Sequence, residues 1–176
     1  MEYLDILDEK GNKTGEIKSK DEAHQMGLWH RTVHVWFMNS QKELLLQYRS
    51  KNKKNYPNTW DISVAGHVSS GEDPITSALR EISEEIGLEI TADKLEVIGD
   101  IHQRVVINNG TYIDSEYNTI YLVRADLDIG QLKMQKSEVG DLRWISISEF
   151  RKWVAEGKKV VPHDEEYKLL FNILSA

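Results

Sequence analysis

The sequence predicts an α/β sandwich, a mixed sheet with helices on both faces, and three observations lead there. β-rich runs recur as far as about residue 127, one capped amphipathic helix interrupts them, and two further helical patterns close the chain. EYLDILD (2–8) alternates weakly and ends in a turn at Gly11, after which TGEIKS returns as the second strand of a hairpin. RTVHVWFMN (31–39) and ELLLQYR (43–49), separated by SQK, read as strands of the main sheet. SKNKKNYPN (50–58) is polar and basic, and Pro57 stops any helix, so it is a loop. WDISVAG is a short strand ending at Gly66. Asp73 is an N-cap, Pro74 suits the first helical position and Gly87 the left-handed position after the last turn, which predicts a helix over Pro74–Ile86. Its apolar residues Ile75, Ala78, Leu79, Ile82 and Ile86 fall at helical spacing, so one stripe faces the sheet and the glutamates project from the other side. KLEVIGDIHQRVV and EYNTIYLVRADL are later strands with INNGTYIDS as the turn between them. SISEFRKWVAEG and HDEEYKLLFNILS are the closing helices, the first capped by Ser146 with Glu149 three residues on.

A chain of 176 residues with 40% hydrophobic content suits one well-cored domain, 1–176. The net charge of -7 and pI near 5.4 argue against a nucleic-acid polymer as partner, because phosphate binding needs a cationic footprint. There is no cysteine, which excludes disulfides, thiolate metal sites and cysteine nucleophiles. No apolar run approaches the roughly 18 residues of a membrane span, and the N-terminus lacks a cationic start followed by an apolar core. The expectation is a cytoplasmic protein with no membrane contact, and a homodimer is left open.

The acidic stretch is GHVSSGEDPITSALREISEEIGL (66–88). Glu81 and Glu85 are an i,i+4 pair and Glu81 and Glu84 an i,i+3 pair, each costing about 0.2–0.5 kcal/mol. Arg80 relieves part of that. Taken alone, such a face reads as a solvated surface. A hard divalent cation would reverse the sign of the repulsion, because Mg²⁺ takes carboxylate oxygens together with substrate phosphates.

Gly66, five residues, Glu72, seven residues, then Arg80-Glu81-Ile82-Ser83-Glu84-Glu85-Ile86-Gly87-Leu88 resembles the Nudix box at every defined position. The resemblance implies a Nudix α/β/α sandwich with a loop-helix-loop motif, and hydrolysis of a small anionic diphosphate substrate with Mg²⁺ or Mn²⁺. It implies Glu81, Glu84 and Glu85 as metal ligands, the Gly66 carbonyl as a further one, and Arg80 and Glu72 as orienting partners. Metal ions neutralise phosphate oxygens and lower the pKa of a bound water, and a carboxylate completes proton removal. Glu81 and Glu138, in KSEVGDLRW, are the two candidate bases.

Outside the box, IKSKDEAH, WHRTVHVWFMN, LLLQYRS with KKNYPNTW, SVAGHV and DSEYN resemble the type 1 isopentenyl-diphosphate isomerases, a branch of the same superfamily. That resemblance implies a second metal site, for Zn²⁺ or Mn²⁺, on His24, His30, His67, Asp114 and Glu116, with Glu85 on the other ion. It implies Lys20, Arg49 and Lys53 as diphosphate contacts, supplying the local positive charge that an acidic protein needs to hold an anion. Two departures bear on the activity. Ala65 stands where the isomerases have their essential cysteine, and Glu81 stands where they have a basic residue. The reading is therefore a Nudix hydrolase of the isomerase-like branch, acting on a nucleoside di- or triphosphate or a prenyl diphosphate. An isomerase using no cysteine and a non-catalytic diphosphate-binding module stay open as alternatives. Trp29, Trp36, Trp60, Tyr56 and Tyr112 are available to stack a base, line a prenyl pocket or fill the core.

Overall fold

Asp8 and Gly11 build the first turn. In the computed structural model, which describes residues 1–175, the Asp8 carboxylate accepts from the Lys10 and Asn12 amides at 2.8 and 2.9 Å. Gly11 takes a φ of 82°, which glycine adopts without strain. The turn joins β1 (Tyr3–Leu7) to β2 (Lys13–Ser19) as an antiparallel hairpin outside the main sheet. Ser19 then starts α1 (Lys20–Met26) through a capping box with Glu22. Seven residues show too little of a helical period to be read from sequence, and α1 is absent from the expected elements.

β3 (His30–Met38) and β4 (Glu43–Arg49) form as expected. The single strand expected over WDISVAG is instead two, β5 (Trp60–Asp61) against β4 and β6 (Val64–His67) against β3. Ser63 joins them, its hydroxyl accepting from Phe37 N and donating to Leu45 O. α2 (Pro74–Ile86) runs from the Asp73 cap to a left-handed Gly87, as the sequence predicts. β7 (Glu96–Ile107) and β8 (Tyr112–Arg124) form as expected with shifted ends, β8 beginning four residues earlier and stopping three earlier, which confines the turn to Asn108–Gly110. β9 (Val139–Ser146) was not expected as a strand. Its buried apolar residues, Val139, Leu142 and Ile145, fall three apart rather than two, so no alternation marks it. α3 (Ile147–Glu156), capped by Ser146, and α4 (Asp164–Leu174) follow.

β3 is the axis of the sheet. One edge runs parallel to β8, which in turn pairs antiparallel with β7. The other edge is shared by β6 at the His30 end and by β4 at Met38, and β4 leaves to pair with β9 and β5. Alternation along β3 sends Val33, Val35 and Phe37 to one face, where they pack with Ala78, Ile82 and Ile86 of α2. Trp36 and Met38 point to the other face and pack with Phe150, Trp153, Tyr167 and Leu170 of α3 and α4. The same alternation places His30, Thr32 and His34 on the second face, ahead of the apolar residues. No described helix is long and apolar enough to cross a membrane.

Candidate functional site

A cleft of about 1090 Å³ runs across the His30 end of the sheet, lined by residues of α1, α2, β6, β8 and the loops after β4 and before β9. The acidic helix meets it on one side. Of the three glutamates expected to project away from the sheet, only Glu84 is exposed, while Glu81 is half-buried and Glu85 is 6% exposed. The reason is that α2 lies along the edge of its apolar stripe at the cleft, so the positions flanking Ile82 and Ile86 turn inward.

The environment of each carboxyl follows from that placement. Burial pushes Glu85 up to about 8, with the Glu81 charge adding to it and a hydrogen bond from Gln47 Nε2 at 2.7 Å opposing it. Burial also raises Glu81, against the bond from Arg80 Nη1 at 2.7 Å. Arg80 is a clamp: it reaches Glu72 at 3.2 Å, Glu81, and the His67 carbonyl at 3.1 Å. Bonds from Ser77 and Arg80 overcome burial and hold Glu72 below the ordinary carboxylate range. Glu81 and Glu85 with the exposed Glu84, only Glu81 and Glu84 being within reach of Arg80, form a hard-oxygen donor set suited to Mg²⁺ or Mn²⁺.

Gly66 is packed against this group. A Cβ there would overlap the Glu81 carboxyl carbon. Gly66→Ala is therefore expected to displace the Glu81 carboxylate, lowering turnover by roughly 10²-fold, the cost of a misplacement of about 1 Å. Steady-state rates alongside an unchanged melting curve check this, and a parent-like rate would show that Glu81 tolerates the shift.

A second group converges beside the first. The ligand-type atoms of His24, His30, His67 and Glu116 all lie within 4.8 Å of one another. The register explains it: His30 is the β8 partner of Glu116, Thr32 is the β6 partner of His67, and α1 carries His24 over them. His24 Nδ1 donates to the Lys20 carbonyl at 2.7 Å and His30 Nδ1 to the Leu28 carbonyl at 2.8 Å. Both rings thus present Nε2 as a lone pair toward the group. His30 Nε2 is buried without a hydrogen-bond partner. Burial, Lys20 and the neighbouring imidazoles push His67 well below the ordinary histidine range, keeping it neutral. An orphaned imidazole nitrogen among two further imidazoles and a carboxylate fits Zn²⁺ or Mn²⁺. Asp114 stands just outside, 3.2 Å from His24 Nε2.

The expected diphosphate contacts are differently engaged. Lys20 lines the cleft beside Glu2, at 3.2 Å. Lys53 is bonded to Glu138, so an expected anion contact and a candidate base hold each other. Arg49 donates to the Asn55 and Tyr56 carbonyls at 2.8 and 3.1 Å and to Asp61 at 2.9 Å, which ties down the loop after β4. Among the aromatics, Trp36 is core, Trp60 packs on Tyr48 and Trp153, Trp29 packs on Tyr117, and Tyr56 and Tyr112 line the cleft, Tyr112 stacked on His24. Gln47 was missed by sequence reasoning. It has no motif of its own, and its role comes only from the strand that carries it to Glu85.

A family model described as NUDIX domain matches residues 28–164. Nudix hydrolase 3 of Arabidopsis thaliana is 39% identical over 98% of this chain, which spans 23% of that protein's length. An uncharacterized Nudix hydrolase of Clostridium acetobutylicum is 35% identical over 96% of this chain and 85% of its own. Isopentenyl-diphosphate Δ-isomerases are among the further relatives. A crystal structure from Deinococcus radiodurans superposes with a TM-score of 0.72 at 26% identity, covering 97% of this chain and 98% of that one.

Proposed function

The chain belongs to the Nudix hydrolase family, and from that premise we propose that it hydrolyses the diphosphate linkage of a small anionic substrate in the cleft, acting as one domain over 1–176. The observation that carries the reading is that Glu81 and Glu85 both line the cleft, with Arg80 bonded to the first and no cation among the described residues bonded to the buried second. In this reading Glu81, Glu84, Glu85 and the Gly66 carbonyl hold Mg²⁺ or Mn²⁺. The bound ion supplies neutralisation of phosphate oxygens and a more acidic water. Arg80 fixes the Glu81 carboxylate through its bonds to Glu72 and the His67 carbonyl. Lys20 and Lys53 supply positive charge to the diphosphate. A phosphate oxygen that takes Lys53 from Glu138 leaves that carboxylate free to accept a proton, so substrate binding and base release become one event. Arg49 acts by holding the loop that carries Lys53.

The test is a phosphate-release screen with Mg²⁺ and Mn²⁺ over nucleoside di- and triphosphates, sugar nucleotides, coenzyme A and isopentenyl diphosphate. Metal-dependent release from at least one class is expected. Release from none, or interconversion of isopentenyl and dimethylallyl diphosphate, would overturn the reading.

His24, His30, His67 and Glu116 hold the second ion in this reading, His24 being oriented by the Lys20 carbonyl, and Asp114, 3.2 Å from His24 Nε2, offers a further carboxylate to the same ion. Calorimetry should find one Zn²⁺ site whose affinity falls by more than about 10²-fold in His30→Ala, beyond the 10–100-fold typical of residues that only support a ligand. A parent-like affinity in that variant would remove the site.

A further inference from the structure

The loop between β6 and α2, residues 68–73, sets where Glu72 stands, and Glu72 holds Arg80 against Glu81. Its turn is tight: Glu72 N donates to the Ser69 carbonyl at 2.9 Å, with Gly71 between them at a φ of 83°. Arg80 grips one part of the loop, donating to the His67 carbonyl at 3.1 Å and to Ser69 Oγ at 3.3 Å. The next donors go to the N-terminal hairpin instead. Ser70 N donates to the Tyr3 carbonyl at 2.8 Å, and Leu4 forms an isolated antiparallel bridge with Ser69. The Asp5 carboxylate takes the rest, accepting from Ser70 Oγ at 2.7 Å and from Gly71 N at 3.3 Å, and it pairs with Lys13 at 2.6 Å.

A hydroxyl bond of that length to a carboxylate is charge-assisted. Burial would raise Asp5, and the bonds from Lys13, Ser70 and Gly71 overcome it and hold the carboxyl below its ordinary range. The register of the hairpin shifts between Asp5 and Leu7, the kind of irregularity that re-aims a side chain. The hairpin has its own anchorage, away from α2. Leu4 and Ile6 pack with Ala23 of α1, and Leu7 N donates to the Trp29 carbonyl at 2.8 Å. Between the hairpin and the start of α2 lies a cavity of about 190 Å³, whose walls include Leu7, Lys13, Arg31, Val68, Asp73 and Pro74. That gap leaves the loop, rather than packing against the helix, as the place where the hairpin takes hold.

We propose that Asp5 is a positioning residue for the metal-binding carboxylates: through Ser70 and Gly71 it fixes the loop that carries Glu72, and so sets the Arg80–Glu81 pair from outside the box. This rests on the hydrolase reading, in which Glu81, Glu84 and Glu85 hold the ion. Asp5 does not line the cleft and acts only through its neighbours. A loop released from Asp5 lets Glu72 drift, and an Arg80 without Glu72 no longer holds the Glu81 carboxylate in one orientation. Residues that support a ligand in this way are typically worth 10–100-fold in metal affinity or activity.

The test measures Mn²⁺ affinity by electron paramagnetic resonance in a His30→Ala background, where the box carboxylates are left to compete for the ion. Asp5→Ala is expected to weaken Mn²⁺ binding by roughly 10–100-fold, and Ser70→Ala, which removes the shorter bond from the loop side, by about tenfold. The double variant should lose no more than Asp5→Ala alone, because both act through one contact. Asp5→Asn keeps an oxygen for the Ser70 hydroxyl and should restore part of the affinity. Lys13→Met removes only the exposed ion pair, and Thr14→Val removes a hairpin bond of 3.0 Å to the Ile6 carbonyl without reaching the loop. Both should bind Mn²⁺ as the background does. Background-like affinity in Asp5→Ala or in Ser70→Ala would overturn the proposal and leave the hydrolase reading standing, and Ser70→Ala decides alone should Asp5→Ala not fold. A loss in Thr14→Val as large as in Asp5→Ala would also overturn it, because the effect would then come from a loosened hairpin. No Mn²⁺ binding in the background, or binding unchanged by Glu85→Gln, would remove the ion from the box and overturn both.

Discussion

Glu85→Gln will abolish most metal-dependent turnover while leaving the metal-free protein at least as stable as its parent. Glutamine keeps the shape and can still accept from Gln47, but it removes the charge that holds a cation. A metal's contribution of several kcal/mol corresponds to a loss of at least about 10³-fold in rate. The stability half follows from burial. Burial and the Glu81 charge push Glu85 from the ordinary 4.5 up to about 8, so the metal-free fold binds this proton more tightly than the unfolded chain does. The fold therefore loses stability as pH rises from about 4.5 to 8. Glutamine does not titrate, so the variant lacks that slope, and its melting temperature relative to the parent should rise with pH. Phosphate release with Mg²⁺ and thermal melts in chelator, at about pH 6 and pH 8.5, measure both halves. Parent-like turnover with unchanged metal dependence would remove Glu85 from the catalytic group. A variant that melts lower at the higher pH would mean that the carboxyl is not the buried liability its surroundings imply.

Such a trade of stability for function explains which parts of the molecule were legible in the sequence. α2 could be bounded to the residue because both of its ends are local chemistry, Asp73 with Pro74 at one and Gly87 at the other. The orientation of its glutamates could not, because helical periodicity defines a stripe and not what lies beside it. His24, His30, His67 and Glu116 were named through the isomerase resemblance. Their meeting depends on the β3 pairings with β6 and β8 together with the position of α1, none of which any one residue reports. β9 left no signal because its buried residues are three apart. Arg49 was expected to meet substrate, and its guanidinium is turned to two carbonyls and Asp61, a use of charge that only the folded loop after β4 reveals. Glu166 did leave a trace, a carboxylate among the buried positions of an amphipathic helix, but its partners His34 and Trp36 are more than a hundred residues away.

That distant contact carries the second large effect: Glu166→Gln is expected to destabilise the protein by roughly 3 kcal/mol at about pH 6, and by progressively less above pH 9. Burial alone would lower His34, and the Glu166 charge and hydrogen bond overcome it and raise the imidazole from 6.5 to about 9. At about 1.4 kcal/mol per pH unit, that rise is worth roughly 3 kcal/mol. Glu116 and Asp61 add smaller favourable charges from β8 and β5. Glu166 itself is pushed up by burial and held below its ordinary 4.5 by His34, His163 and the Trp36 bond. The His34 contribution is complete below about pH 6.5 and is lost as pH rises through about 9, while the Glu166 contribution is present above about 4.5 and fades below it. Both are therefore at full strength between about pH 4.5 and 6.5. The amide still accepts from Trp36 Nε1, so the variant removes the charge with little change in packing, and the imidazolium it strands must deprotonate to stay buried. Because α4 is fixed to β3 through this pair and carries Tyr167 and Leu170 into the core, the loss is expected in global unfolding rather than in fraying of the C-terminal helix. Denaturant melts of parent and variant at about pH 6 and pH 10 give the difference at each end of the window. A gap equally large at both would show that the carboxylate acts by packing and not by charge, and the buried ion pair would then have no part in holding α4.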